Sequence, residues 1–251
     1  MGALDGKTAI VTGAGQGVGR GIALALAASG ANVCLAGRTE SKLTAVAAEI
    51  EQRGGKATTV ACDVKRPDDI DRCVDETLRA WGGIDALVNN AQESPMGSVL
   101  DVAEEDLQAG WESGPLATFR FMRRCYPHLR DGGVIINLGS SASVNPNAAG
   151  RGVYGALKAA TQSLSRTAAV EWGVDGIRVI AILPAATSPS AESFAQTNPE
   201  EFERSLASIP LHRLGDPETE IGSVVAFLCS ADAGYVTGAT IPIDGGQAFL
   251  R

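Results

Sequence analysis

The chain has 251 residues, 45% hydrophobic and 20% charged, enough to bury the core of one large α/β domain. Its formal charge of −8 excludes a general affinity for nucleic acid, which needs a basic face. No apolar run reaches the roughly 18 residues that a membrane-spanning helix requires.

From the N-terminus, short apolar runs at 8–11, 32–36, 57–61, 86–88, 134–138, 178–183 and 240–243 read as strands. Stretches with helical spacing stand among them at 19–28, 41–53, 67–81, 154–172 and 217–228. Nearly continuous hydrophobic strands belong in a parallel sheet covered on both faces. Their alternation with helices predicts a single doubly wound, Rossmann-type α/β domain over residues 1–251. The stretch 185–211 breaks the rhythm with three prolines, and an irregular substrate loop is expected there. Cys34, Cys62, Cys73, Cys125 and Cys229 are scattered without CxxC spacing, which reads as reduced thiols. The opening MGALDGKTAIVTG shows no secretory h-region, so the expected location is the cytoplasm. His128 and His212 lack ligand spacing, so no catalytic metal is expected, and Trp81, Trp111 and Trp172 read as packing residues. The basic cluster Arg120, Arg123 and Arg124 reads as a solvated face or an intersubunit ion pair.

Chemistry begins at the first βα turn. Gly13, Gly15, Gln16, Gly17, Val18 and Gly19 join a strand to a helix, and glycines there let a diphosphate approach the backbone closely. The helix N-terminus adds free N–H groups and a favourable dipole for the anion. The second strand ends in Gly37-Arg38, with no carboxylate to grip a ribose 2′-hydroxyl. Arg38 is suited to the 2′-phosphate of NADP, so NADP(H) is expected over NAD(H). Asp63 and Val64, after the third strand, are placed to contact adenine, although Asp63 can equally cap the helix that Pro67 starts.

Further on, the fifth strand ends Asn137-Leu-Gly-Ser140-Ser141, and Tyr154 and Lys158 stand four apart on one helix face. An ammonium beside a phenol favours phenolate and is expected to lower the tyrosine pKa. A tyrosine so placed can pass a proton to a carbonyl oxygen, while Ser140 holds that oxygen.

These residues, with Asn89-Asn90-Ala91, Pro210-Leu-x-Arg213 and Asp244-Gly245-Gly246, resemble the short-chain dehydrogenase/reductase family along nearly the whole chain. The resemblance implies a seven-stranded parallel sheet, a nicotinamide cofactor over its carboxyl edge and a homotetramer. It implies catalytic roles for Ser140, Tyr154 and Lys158, and cofactor contacts from Asn90, Ala91, Tyr154, Lys158, Pro184 and Thr187. Asn89 would shape the floor of the cofactor site. The implied activity is ketoreductase or alcohol dehydrogenase chemistry on a small-molecule carbonyl or alcohol. Reduction of another polarised double bond, such as an imine, and cofactor binding with little turnover are the alternatives.

Three positions depart from the family pattern. Gln92 stands where the family has glycine, and is expected to reach the substrate together with Ser141. Ala185 follows Pro184 in place of glycine, leaving Thr187 or Ser188 to meet the carboxamide. The family's catalytic asparagine, which supports a helix kink and anchors a relay water, falls on Gly114, followed by Pro115. Proline cannot donate to the preceding turn, so a bent helix with a free carbonyl is expected there.

Overall fold

The structure, a computed structural model, describes residues 2–145 and 150–248. Seven strands form one sheet: β1 (Thr8–Thr12), β2 (Asn32–Gly37), β3 (Lys56–Ala61), β4 (Ala86–Asn89), β5 (Val134–Leu138), β6 (Arg178–Pro184) and β7 (Thr240–Ile243). Their spatial order is β3-β2-β1-β4-β5-β6-β7, and every pairing is parallel. The order reverses between β1 and β4, the switch point where open α/β sheets form their crevice at the carboxyl ends of the strands. Every residue of β1, β4 and β5 is buried, which is why these strands read as apolar runs without alternation.

The strand pleat divides the core in two. Ala9, Val11, Val88, Ile136 and Leu138 face one side. They meet Ile22 and Leu26 of α1 (Gly17–Ala28), Leu43 and Ile50 of α2 (Glu40–Gln52), and Val225 of a late helix. Ile10, Leu87 and Ile135 face the other side, against α3 (Pro67–Trp81), α5 (Ala117–Leu129) and α6 (Gly152–Trp172). Before α5, α4 (Glu104–Trp111) runs into a π turn over Glu112–Leu116. The predicted strand positions hold to within a residue or two.

Three expectations change. The stretch expected to be irregular contains two short helices, α7 (Pro189–Thr197) and α8 (Pro199–Ala207), pinned by an edge-on contact of Phe194 with Phe202 at 6.4 Å. Pro189 and Pro199 sit in the first turns, where a missing N–H costs nothing, so they start helices here. The helix expected over 217–228 begins as a π turn, Pro217–Gly222, and becomes α9 (Ser223–Cys229) afterwards. Here α1 comes very close: a Cβ on Gly21 would overlap the Pro217 carbonyl, and one on Gly222 would lie 2.6 Å from Ala25 Cβ. The cysteines, finally, are not all apart in space. All five are free, but the Cys73 thiol lies within hydrogen-bonding reach of both Cys34 and Cys62.

Candidate active site

The β1 end is tied to the β4 end by one hydroxyl. Thr12 Oγ1 accepts from the Asn90 N–H at 2.9 Å and the Ala91 N–H at 3.0 Å, and donates to the Val88 carbonyl at 3.3 Å. Asn90 Nδ2 returns the contact, donating to the carbonyls of Thr12 at 2.8 Å and Gly13 at 3.3 Å. Gly13 has φ +67°, and a Cβ there would lie 2.6 Å from Asn90 Nδ2, so glycine is required on both counts. A Cβ on Gly17 would meet Ser188 Cβ at 3.5 Å and Pro189 Cδ at 3.6 Å, so the segment after β6 crosses directly over the glycine loop. Gln16, at the N-cap of α1, makes no side-chain capping bond; its Oε1 accepts instead from Lys42 Nζ. The first N–H groups of α1 therefore have no side-chain cap, which fits a diphosphate at this terminus. Val18 packs against the core beside them.

Arg38 is exposed at the rim of the crevice, and its partner is not the neighbouring Glu40. Its NH1 donates to Glu93 Oε1 at 2.7 Å, and Lys65 Nζ reaches the same oxygen at 3.1 Å. Asp63 does not cap α3: its Oδ1 accepts from the Lys65 N–H at 3.1 Å, while Asp69 reaches back to the Asp63 N–H at 2.9 Å. The Val64 side chain is in the core, which leaves only its backbone for a ligand. Pro184 ends β6, the Thr187 N–H donates to Gly215 O at 3.0 Å, and Ser188 caps α7 through its hydroxyl.

The reacting groups meet at the carboxyl end of β5. Lys158 is buried, and its Nζ donates to the Leu138 carbonyl at 2.6 Å. Burial alone pushes its pKa down to about 7. The side chains of Ser140 and Ser94 hydrogen-bond to the Tyr154 phenol. Contrary to expectation, the Tyr154 pKa is raised. Burial is the largest cause and outweighs those two hydrogen bonds and the charge of Arg151. The ammonium that was expected to lower it is 5.6 Å from the ring centroid, and burial weakens its own hold on the proton.

Backbone packing holds the group in register. A Cβ on Gly155 would collide with the Ala142 carbonyl, so α6 sits directly on the turn Ser141–Ser143 that follows Ser140. Ser143 Oγ donates to Ser140 O at 2.5 Å and accepts from Gln162 of α6. Below, a buried chain runs from Asn89 Nδ2 to Asn137 Oδ1 at 2.8 Å, and from Asn137 Nδ2 to Ser165 Oγ at 2.9 Å. The Ser141 hydroxyl donates to Gln247 Oε1 at 3.0 Å.

Opposite α6, the helix departs from α geometry at Pro115 as expected, in the form of the π turn. An i→i+5 register offers the Leu116 N–H to the Trp111 carbonyl that Pro115 cannot serve, which is how a chain carries a helix past a proline without breaking it. Gln92 lies against this turn at Gly114, and its neighbour Glu93 donates its N–H to Ser113 Oγ at 2.9 Å. Glu93, Ser94, Ser113 and Gln247 escaped the sequence reading, because each acquires its partner only through folding. Arg120 and Arg124 bind Lys65 O, Asp71 and Asp75 within the chain, and Trp111 is 44% exposed and not packed in the core. Among the described residues no three His, Cys, Asp or Glu side chains could share a metal ion, and no helix is long and apolar enough to cross a membrane.

Known proteins resemble this one along its whole length. A family profile described as enoyl-(acyl carrier protein) reductase matches residues 13–248. The chain is 41% identical to a 12α-hydroxysteroid dehydrogenase of Clostridium sp., over 98% of each. It is 37% identical to the oxidoreductase UcpA of Escherichia coli, over 99% of this chain and 97% of that one. A dehydrogenase/reductase from Sinorhizobium meliloti superposes with a TM-score of 0.90 at 33% identity, covering 97% of this chain and 96% of that one. A 7α-hydroxysteroid dehydrogenase complexed with NADH and 7-oxo glycochenodeoxycholic acid gives 0.91 at 32% identity, covering 98% and 95%.

Proposed function

Because this chain belongs to the short-chain dehydrogenase/reductase family, whose members are oxidoreductases that use a nicotinamide cofactor, we propose that it is an NADP(H)-dependent ketoreductase working through Tyr154. The carrying observation is the meeting of three groups: a Tyr154 phenol bonded to Ser140, with the buried amine of Lys158 on the same helix face. Gly13, Gly15, Gly17 and Gly19 and the α1 N-terminus would hold the diphosphate, and Asn90, Ala91, Pro184 and Thr187 would border the nicotinamide half. When bound, the nicotinamide supplies or takes the hydride.

In reduction, the Ser140 hydroxyl donates to the carbonyl oxygen and Tyr154 delivers its proton to that oxygen as negative charge develops there. The raised phenol pKa keeps Tyr154 protonated at neutral pH, which suits this direction. Lys158, with a pKa of about 7, is matched to exchanging protons near the working pH. Arg38 supports the preference for NADP(H), and a 2′-phosphate would have to compete with Glu93 for it. The steroid-acting relatives make ketosteroids and hydroxysteroids the first substrates to assay. Leu107, Trp111 and Phe119, exposed along one continuous helix, would form an apolar face of a homotetramer, which light scattering tests by mass.

The deciding experiment is a fluorescence titration with NADPH and NADH, followed by turnover of a ketone panel by the wild type and Tyr154→Phe. Tighter NADPH binding, with turnover abolished in the variant, is expected. Undiminished turnover in Tyr154→Phe would refute the mechanism, and tighter NADH binding would refute the role of Arg38.

A further inference from the structure

Two departures that lie apart in the sequence touch in the fold. A Cβ built on Gly114 would fall 2.5 Å from Gln92 Cδ, 2.7 Å from its Oε1 and 2.8 Å from its Nε2. The Gln92 carboxamide therefore occupies the space where a side chain at 114 would begin, and such a side chain would have to displace it.

The backbone that carries the amide is fixed on both sides of Gln92. The Ala91 N–H is fixed to Thr12 Oγ1 at 3.0 Å and the Glu93 N–H to Ser113 Oγ at 2.9 Å. Ser113 in turn donates to the Ala109 carbonyl at 2.6 Å, so the loop is bolted to the helix on which Gly114 sits. Yet Gln92 Nε2 is, among the described residues, the one buried side-chain nitrogen or oxygen without a hydrogen-bond partner. Leaving such a donor orphaned is costly, and natural interiors satisfy it with an ordered water or a ligand.

The π turn that carries Gly114 packs on α6. One turn earlier the approach is already tight, since a Cβ on Gly110 would lie 2.6 Å from Cδ1 of Leu157, the residue before Lys158. Lys158 has three protons to donate when charged, and the Leu138 carbonyl is its one protein acceptor among the described contacts.

We propose that Gln92 is a positioning residue for Lys158. Its carboxamide, delivered from the loop after β4, takes the place of a side-chain amide on the helix at 114. Its Nε2–H donates to a buried water shared with the lysine. That water keeps the Lys158 amine hydrated and in proton contact with solvent, so that it can resupply Tyr154 after each reduction. This rests on the reading of Tyr154 as the proton donor.

The test is an amide transplant in the full-length protein, with NADPH and the best ketone of the panel. Gln92→Gly is expected to lower kcat about tenfold, with ketone KM and NADPH affinity within about twofold of wild type. Gly114→Asn alone falls further, since its side chain collides with Gln92. The double variant Gln92→Gly/Gly114→Asn recovers most of the lost kcat, a coupling that independent sites do not show. A Gln92→Gly variant with wild-type kcat overturns the proposal, as does a folded double variant no better than Gln92→Gly. A readout without turnover runs beside it: in 15N-labelled protein, the Gln92 side-chain amide should show cross-relaxation to a long-lived water, and its absence also overturns the proposal. Turnover surviving Tyr154→Phe would instead remove the reading of the reaction, whatever the amide shows.

Discussion

The glycine loop after β1 and the loop after β4 border the same crevice, and they are built on opposite principles. In the first, the chemistry resides in what is missing: Gly13 takes a backbone angle that other residues avoid, and Asn90 fills the space its side chain would need. In the second, three consecutive side chains divide the work. Gln92 presses on the π turn, Glu93 binds Arg38 and Lys65, and Ser94 reaches the Tyr154 phenol. A loop of the first kind announces itself by residue type. One of the second kind acquires meaning only from partners that folding brings to it.

The comparison can be broken at four places. The largest effect is expected at the residue that both loops serve: Tyr154→Phe should lower kcat by roughly 10²–10⁴-fold, with NADPH affinity, read by fluorescence, unchanged. Next comes the backbone approach behind the glycine loop. Gly21→Ala forces a Cβ into the Pro217 carbonyl and should cost up to about 3 kcal/mol in urea unfolding. Tolerance of that change would mean that α1 is free to move.

The third effect is electrostatic. The Lys158 pKa is about 7 in the fold and near its ordinary value of 10.5 when unfolded. Between those values the unfolded chain binds more protons, so stability rises with pH across the window. From pH 7 to 9 the cofactor-free wild type should gain about 2 kcal/mol relative to Lys158→Met; parallel pH profiles would show that burial does not depress the Lys158 pKa. The smallest effect sharpens the second loop: Glu93→Gln releases Arg38 from a partly exposed ion pair and should raise the NADPH over NADH preference by roughly two- to fivefold. No change in that ratio would mean that Arg38 does not read the 2′-phosphate.

How much of this was legible follows the same division. The central strands were readable because parallel strands buried on both faces are mostly apolar, as 134–138 is apart from Asn137. Tyr154, Lys158 and Ser140 were readable because helix spacing and a strand end place them together. The fate of Pro115 was half legible: a disrupted α register follows from the absent N–H, but its repair by a π turn depends on α6 packing beside it. The sign of the Tyr154 shift was missed because burial, its main cause, cannot be counted from a four-residue spacing. Pro189 and Pro199 look like breakers in isolation, and only the capping of α7 by Ser188 and the clasp of Phe194 on Phe202 turn them into starters.

The Asn89–Asn137–Ser165 chain beneath the site acts as a vernier. Apolar contacts between a sheet and a helix change little when one slides an ångström along the other, so a greasy core alone leaves that offset loosely set. An amide that must meet another amide, and a hydroxyl beyond it, permits one setting. Because α6 carries Ser165 and Tyr154 on the same rigid rod, the alignment of the phenol over the strand ends is read off about three turns away, in the buried interior, where no substrate can disturb the scale.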